Sequence, residues 1–307
     1  MHTDTDTDTA TPSAGPDVLR HRPRLLGLAY RMLGDLDDAE DVVQDAYLRW
    51  HQAARDDVET PEAWLVTVVT RLAIDRLRRA AKERATYVGP WLPEPVPFEP
   101  PSTLSAPDRH VELASDLSIA LLVLHERLAP EERAAFLLRE VFGTDYAEIA
   151  RILDRRPDAV RQMVHRARTR VQAERPRVPV ARDEYERLVD GFLRALESDD
   201  APALLALLAP EVTLTSDSGG LAAAARRTVL GPDRVARFLL GVVRKFGRGF
   251  THRPATLNGA PALLTFHEGT LITAWMLEIA DGRVRAVYSM RNPEKLRRAT
   301  ETGIEIR

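Results

Sequence analysis

The residues best suited to a chemical role lie between positions 157 and 171, where polar and apolar side chains alternate at helical spacing. The apolar members form one stripe: Val160, Met163, Val164, Ala167 and Val171. The opposite face carries Arg161, Gln162, His165, Arg166 and Arg168. Arginine and glutamine can pair bidentately with guanine and adenine edges, and each good pair contributes about 1–3 kcal/mol of discrimination. The pattern predicts a surface that reads the major groove of DNA.

A helix-turn-helix over residues 145–173 would hold this face outward. Ala150, Asp154 and Val160 have its spacing: small where the helices touch, tolerant of left-handed backbone in the turn, and apolar where the second helix seats. Pro157 suits the first turn of the second helix, where a missing N–H costs nothing. The alternative is an ordinary helical hairpin with a solvated basic face.

Composition limits the other functions. The chain has 307 residues, 44% of them hydrophobic, which predicts two or three domains with packed cores. The net charge of −3 argues against a uniformly basic coat, so nucleic-acid contacts must come from local clusters. The absence of cysteine excludes disulfides, thiol catalysis and thiolate metal sites. We expect no metal and no cofactor. We also expect no membrane span and a cytoplasmic protein, because apolar runs of membrane length and a signal-peptide pattern are missing.

Such charged clusters are present. Residues 35–57 carry eight acidic side chains against two arginines, whereas residues 70–84 carry six Lys and Arg against two acids. These patches belong to a predicted three-helix domain, residues 17–86, whose helices run from Asp17 to about Gly34, from Asp38 to about Ala54 with Asp37 as cap, and from Pro61 onward. One acidic and one basic surface suit a protein that meets both a basic protein partner and nucleic acid.

The remaining segments differ in character. The composition of residues 1–16 predicts a disordered tail, and that of residues 87–108 predicts a proline-rich linker. In this linker, Trp91, Leu92 and Phe98 either pack on neighbouring helices or bind a partner. Residues 109–176 predict a second helical unit. From residue 183 the period shifts toward two, and Asp281-Gly282 signals a hairpin, so we expect an α+β domain with a curved antiparallel sheet and helices on one side.

The motifs resemble those of bacterial extracytoplasmic-function sigma factors. EDVVQDAYLRW (residues 40–50) resembles region 2.2, TPEAWLVTVVTRLAIDRLRR (residues 60–79) resembles regions 2.3 and 2.4, and LREVFGTDYAEIARIL with the following basic helix resembles region 4.2. YVGPWLPEP (residues 87–95) and RNPEKL (residues 291–296) resemble the sigma factor J-like subgroup, which bears a C-terminal SnoaL-like domain. The resemblance implies a multidomain fold: a region 2 helical bundle, a region 4 helix-turn-helix, and a C-terminal α+β SnoaL-like, cystatin-like cone.

The resemblance also implies partners and site residues. Core RNA polymerase would be bound through its β′ coiled coil and β flap, with the β′ contact made by Asp41, Gln44, Asp45, Leu48 and Arg49; a solvated helix face is the alternative reading of these five. The minus-10 element, as melted promoter DNA, would meet the loop 56–60 together with Trp64, Arg71, Arg76, Arg78, Arg79 and Lys82. The double-stranded minus-35 element would be read by the basic face of residues 161–168.

For the C-terminal domain, residues 183–307, the sequence leaves both a regulatory and an enzymatic role open. In the resembled subgroup it acts as a fused regulator through the linker and a DGGGK-like loop, which implies roles for Trp91, Leu92, Pro93, Asp217, Gly219 and Gly220. Ser218 and Leu221 depart from that loop pattern, and the missing lysine questions any contact through a positive charge. Related cones include isomerases and cyclases, with His252, His267, Glu268 and Asp217 as acid/base candidates here, although their spacing forms no pair.

We therefore expect a non-enzymatic factor that binds core RNA polymerase, recognises promoters and initiates transcription, with a fused domain that modulates it. One alternative is a SnoaL-like enzyme or ligand-sensing domain tethered to a helix-turn-helix. A small-molecule ligand of the C-terminal domain is a further candidate partner. Another alternative is a dimeric helix-turn-helix repressor with a ligand-binding C-terminal domain. A repressor of this kind does not explain why the acidic helix, the Trp64 segment and the linker occur in one chain.

Overall fold

The computed structural model describes residues 16–53, 58, 60–97, 118–174 and 182–301. The predictions for the N-terminal tail, most of loop 56–60, the rest of the linker with Phe98, and the break near residues 175–179 lie outside this range.

Four helices open the described chain: α1 (Pro16–Leu19), α2 (Arg22–Leu33), α3 (Leu36–Gln52) and α4 (Pro61–Arg84). The prediction of a single first helix from Asp17 to about Gly34 is wrong: the chain forms α1 and α2 instead. The helix is interrupted because Pro23 lacks the N–H that a continuous helix needs at this position. The predicted cap of α3 is also wrong. Asp35, not Asp37, is the cap, since its extended backbone lets its carboxylate accept a 3.0 Å hydrogen bond from the N–H of Asp38.

A second helical group comprises α5 (Ile119–His125), α6 (Pro130–Glu140), α7 (Tyr146–Leu153) and α8 (Pro157–Glu174). The predicted helix-turn-helix is confirmed between α7 and α8: Asp154 has φ of 53°, and Ala150 and Val160 are buried. The apolar faces of α2–α4 and α6–α8 belong to one continuous core, so the two helical units pack directly on each other.

The C-terminal part combines helices with one sheet. Its elements are α9 (Arg182–Glu197), α10 (Ala201–Leu207), β1 (Leu208–Asp217), β2 (Val229–Leu230), α11 (Pro232–Phe246), β3 (Phe250–Leu257), β4 (Ala260–His267), β5 (Thr270–Ala280), β6 (Arg283–Met290) and α12 (Pro293–Glu301). The strand order is β2-β1-β6-β5-β4-β3, and the Asp281-Gly282 hairpin joins β5 to β6 as predicted.

Two expectations for this sheet are corrected. It is mixed rather than antiparallel, because β1 and β6 run parallel; β2–β5 and α11 separate them in the chain, so no hairpin fixes their relative direction. Helices also cover both faces. One face packs on α9, α10 and α11, and the other packs on α12, Leu92 of the linker and the start of α5.

Candidate nucleic-acid interface and domain junction

The predicted polymerase-binding residues lie together on the outer face of α3. The buried side of this amphipathic helix is formed by Ala39, Val42, Val43, Ala46 and Trp50. The outer side exposes all five predicted residues: Asp41, Gln44, Asp45, Leu48 and Arg49. Leu48 is 53% exposed, which is unusual for a leucine inside a helix that has a packed face. The arrangement offers an acidic surface with one apolar group.

The predicted minus-10 residues lie on α4 but have different surroundings. Trp64 is partly buried, and its ring packs edge-on against Trp50 with centroids 5.3 Å apart. Arg79 and Lys82 are exposed. Arg76 forms a 2.7 Å ion pair with Asp38 in the neighbouring α3. Phosphates could therefore reach Arg79 and Lys82 directly, while Arg76 supports the packing of α4 on α3.

The other two predicted minus-10 arginines contact the second helical group. Arg71 donates through Nε to the carbonyl of Ile152, at 2.9 Å, near the C-terminal end of α7. Arg78 forms a 2.7 Å ion pair with Glu131 of α6, and Glu131 also holds Arg155 at 3.0 Å. In this conformation, DNA phosphates would have to displace these partners.

A buried charged network strengthens the same contact. Arg133 of α6 is 3% exposed, donates to the carbonyl of Met32 in α2, and lies 2.8 Å from the carboxylate of Glu126. Glu126 also pairs with Arg84 at the end of α4. Because a buried guanidinium needs a countercharge, this network ties the two helical groups together at a fixed position.

The predicted minus-35 residues lie on α8. Arg161, Gln162, His165 and Arg166 are exposed, as a face that enters a groove requires. Arg161 pairs with Asp158 one turn earlier, at 2.6 Å, and Arg166 approaches Glu132 at 3.4 Å. Arg168 lies at the flank of this face and forms a 2.6 Å ion pair with Glu140, so it fixes α8 to α6 more directly than it presents a free cation.

The predicted regulatory residues meet at one buried carboxylate. The Asp217 side chain, at the end of β1, has no exposed surface. Its Oδ2 accepts hydrogen bonds from the Leu92 N–H and from Lys295 Nζ, both at 2.8 Å. Its Oδ1 accepts from the Tyr87 hydroxyl at 2.5 Å, and burial, together with this bond, raises the pKa of Tyr87. The linker is thus fastened to the C-terminal domain at Asp217.

Glycines 219 and 220 let the following loop approach the linker. Both have positive φ, 58° and 79°, a conformation that other residues rarely adopt. A Cβ on Gly219 would lie 2.8 Å from Asn292 Nδ2, and one on Gly220 would lie 3.1 Å from the Cβ of Val88. The two glycines predicted from the sequence therefore serve both a tight turn and close packing against residues 87 and 88.

Trp91 forms the aromatic part of this junction. The Arg84 guanidinium lies 3.6 Å from its ring centroid, and Lys295 Nζ lies 3.9 Å from it. One cation comes from α4 and the other from α12, so the indole connects the first helical group with the C-terminal domain through cation–π contacts. Leu92 is fully buried beside it and Pro93 is buried as well. Within the described linker, packing on neighbours explains these apolar residues.

A second contact joins the same three parts of the chain. Asn258, in the β3–β4 turn, donates from Nδ2 to the Tyr30 hydroxyl of α2 at 2.5 Å, and its N–H donates to the Val96 carbonyl at 2.8 Å. The Tyr30 hydroxyl donates to the Glu94 carbonyl at 2.7 Å, and burial raises the pKa of Tyr30. The linker therefore lies between α2 and the sheet, hydrogen-bonded to both.

Sequence reasoning missed three of these residues. Lys295 and Asn292 lie in the RNPEKL motif, which indicated a subgroup without indicating a partner for either side chain. Asn258 stands before Gly259 in the β3–β4 turn, and this Asn-Gly pair explains its φ of 54° but gives no sign of its contact with Tyr30. The motif therefore located Lys295 without revealing that its ammonium pairs with Asp217.

The C-terminal domain also contains a cavity of about 250 Å³ between the sheet and helices α9 and α11. Only one of the four acid/base candidates, His252, lines it. Its Nδ1 lies 2.9 Å from Thr265 Oγ1, and burial lowers its pKa. Asp217 is held by the linker, and Glu268 is exposed in the β4–β5 turn. Burial raises the pKa of Glu278, but this residue bonds Tyr288 and does not line the cavity.

Comparisons with known proteins agree with this architecture. Residues 18–83 match the family described as Sigma-70 region 2, and residues 118–171 match Sigma-70, region 4. The ECF RNA polymerase sigma factor SigJ of Mycobacterium tuberculosis is 37% identical, over 92% of this chain and 95% of that protein. The probable ECF sigma factor SigI of the same species is 32% identical, over 90% and 92%.

A solved structure extends the comparison to the fold. The crystal structure of M. tuberculosis SigJ superposes with a TM-score of 0.72 at 34% identity, covering 95% of this chain and 99% of that one. The likeness includes both helical groups and the C-terminal α+β domain. Among the residues that the structure describes, no helix is long and apolar enough to cross a membrane, and no cluster of three or more potential metal ligands occurs.

Proposed function

The chain belongs to the extracytoplasmic-function family of RNA polymerase sigma factors, and we propose that it divides the work of this family among three surfaces and one internal junction. As a sigma factor it directs promoter recognition and transcription initiation by RNA polymerase, and its fold combines two helical sigma domains with a SnoaL-like domain. The assignment of residues to individual steps is the proposed part.

The outer face of α3 is proposed to bind the β′ coiled coil of core polymerase. Asp41 and Asp45 are exposed and four residues apart, so both can meet basic groups of one partner surface. Leu48 would add apolar contact at the centre of that face. The β flap, as the proposed partner of the second helical group, completes the contact with core polymerase.

Promoter recognition is proposed to use α4 and α8. Arg79 and Lys82, joined by Arg71, Arg76 and Arg78 once their partners are released, would neutralise phosphates near the melted minus-10 element, with Trp64 at its edge. Arg161, Gln162, His165 and Arg166 would face the minus-35 groove, and Arg168 would position the helix that carries them.

The C-terminal domain is proposed to regulate rather than to catalyse. The single observation that carries this proposal is the position of the linker, which is hydrogen-bonded to Gly34 and Tyr30 on one side and to Asp217 and Asn258 on the other. Any movement of the C-terminal domain would therefore pull on the segment that connects the two DNA-binding domains. A tethered enzyme is the second candidate, because His252 and Glu197 line the cavity, but the described carboxylates with a raised pKa, Asp35 and Glu278, do not.

Promoter-specific run-off transcription with purified core polymerase tests the proposal. We expect core-dependent initiation by the full chain, loss of minus-35 dependence in Arg161→Ala and Gln162→Ala, and a changed transcript yield in Trp91→Ala. Arg244→Gln, on the exposed surface of the C-terminal domain, is the matched control. A yield that stays the same when the Trp91 junction is broken would contradict regulation through the linker.

A further inference from the structure

The cavity of the C-terminal domain is largely apolar, and three acidic or basic side chains line it: Glu197, His252 and Arg291. Its wall is mostly apolar and aromatic, with Phe192, Phe238, Phe250, Leu263 and Trp275 among the contributors. A volume of about 250 Å³ suits a compact ring or a short alkyl chain. The Thr265 hydroxyl accepts a hydrogen bond from the Trp275 indole N–H and lies within hydrogen-bond distance of His252, so it is already bonded within the cavity wall.

One cation, Arg291, lies at this wall with part of its hydrogen-bonding capacity unused. Its Nη1 donates to the Ala223 carbonyl, but its buried Nε has no hydrogen-bond partner among the described residues. No carboxylate forms an ion pair with Arg291 in the described structure. Burial lowers the pKa of its guanidinium, because the charge is desolvated without compensation. A guanidinium left this way is a strong donor for a carboxylate.

Arg291 is also joined to the linker junction. Its N–H donates to the Asp217 carbonyl at 2.6 Å, and the next residue, Asn292, donates to the Tyr87 hydroxyl at 3.0 Å. Its other contact, Ala223, belongs to the loop that also contains Gly219 and Gly220 and that lines the cavity. One loop and one short segment therefore contact the cavity on one side and residues 87–92 on the other.

We propose that the cavity binds an apolar monocarboxylate, whose carboxylate pairs with Arg291, and that this site is coupled to the linker contact at Asp217. The effect of such a ligand on transcription rests on the function proposed above, whereas binding of the acid and its coupling to the linker do not. A ligand that pulls Arg291 toward the cavity would change its bonds to Ala223 and Asp217. Since coupling between two sites is reciprocal, the state of the linker would in turn set the affinity for the acid.

The first test is calorimetric titration of the full chain with benzoate, 2-naphthoate and octanoate, each compared with its own carboxamide. Charged hydrogen bonds of this kind contribute enough for the best acid to bind roughly tenfold or more tightly than its amide. Arg291→Gln should remove this preference, whereas Arg244→Gln, which alters an exposed arginine at the end of α11, should keep it. Val242→Trp should fill the cavity with Arg291 intact and weaken acid and amide alike.

Equal binding of every acid and its amide, or no binding of any acid, would overturn the site. Tight binding that survives Val242→Trp would also overturn it, since the acid would then lie elsewhere. Hydrogen exchange in residues 87–97 tests the coupling: the bound acid should change the exchange of the Leu92 N–H in wild type and not in Val242→Trp. Binding without such a change would overturn the coupling. None of these readouts requires transcription, so the inference can fail while the sigma activity stands.

Discussion

Lys295 and Asp217 form a buried ion pair in which Nζ and Oδ2 lie 2.8 Å apart, with side chains 8% and 0% exposed. Lys295 also donates to the Leu92 carbonyl at 2.6 Å, while Asp217 accepts from the Leu92 N–H. A single linker residue is therefore held through both of its backbone polar groups. Burial lowers the pKa of Lys295 despite the carboxylate, so the positive charge in this position depends on Asp217.

Removing either charge of this pair should destabilise the domain junction. Asp217→Asn would leave a buried ammonium without its countercharge, and Lys295→Met would leave a buried carboxylate. Breaking one side of a buried pair costs about 3–5 kcal/mol, whereas removing both charges costs much less than the sum. Urea unfolding of both single variants and the double variant measures the coupling.

The matched control is Arg297→Met. Arg297 reaches Asp37 at 3.2 Å in a pair that is more than half exposed, so its loss should change the free energy of unfolding by about 1 kcal/mol or less. Additive effects of the two buried substitutions would show that Lys295 and Asp217 do not act as a pair.

Local patterns explain which parts of this molecule could be predicted from its sequence. The α7–α8 unit was predictable because its determinants are close together in the chain: a cap at Asp145, a left-handed Asp154 and an apolar Val160. The exposed face of α3 followed from helical periodicity in the same way. The family motifs then assigned a function to each domain along the chain.

The contacts between domains could not be predicted in this way. Asn258 and Tyr30 are 228 positions apart, and Lys295 and Asp217 are 78 apart, so no local pattern relates them. The direction of β1 relative to β6 depends on the path of the intervening chain, which alternation of side chains does not encode. The same holds for Arg78, which the sequence presented as a free cation and the structure pairs with Glu131.

Reversing charge on α3 should abolish binding to core polymerase. Asp41→Lys with Asp45→Lys changes an exposed acidic surface to a basic one, so like charges would then face the proposed partner. Because neither side chain is buried, the circular dichroism spectrum and unfolding midpoint should stay close to wild type. Binding of labelled full chain to purified core polymerase measures the effect.

Glu186→Lys with Asp190→Lys provides the control for this reversal, since these acids are also exposed and four residues apart on one helix. This second pair should leave core binding unchanged. If both double variants bind equally well, the α3 face is not the polymerase contact.

The stability of the C-terminal domain should fall in acid through His252. Burial lowers its pKa, so the unfolded chain binds a proton at a pH where the folded chain does not. The free energy of unfolding therefore decreases as pH falls below about 6.5, the ordinary histidine value, with a slope of at most about 1.4 kcal/mol per pH unit from this group. His252→Phe should flatten the curve between pH 6.5 and 5.

Thermal unfolding of the full chain across this pH range measures the slope. His165→Phe, which changes an exposed histidine of α8, controls for the general effect of losing an imidazole. An identical slope in wild type and His252→Phe would assign the acid sensitivity to other groups.

Arg78 should contribute to promoter affinity without reading sequence. If it neutralises one phosphate, Arg78→Ala weakens binding to all promoters by a similar factor and reduces the slope of log affinity against log salt by about one. Glu131→Gln should act in the opposite direction, because it frees Arg78 and Arg155 from a shared carboxylate. Exposed ion pairs are worth up to about 1 kcal/mol, so the gain in affinity should be fivefold or less.

Fluorescence anisotropy with promoter DNA and reconstituted holoenzyme, repeated over a salt series, measures both effects. In the double variant Arg78→Ala with Glu131→Gln, any remaining gain comes from Arg155 alone. A loss confined to promoters altered at one base would instead assign Arg78 to direct readout of that base.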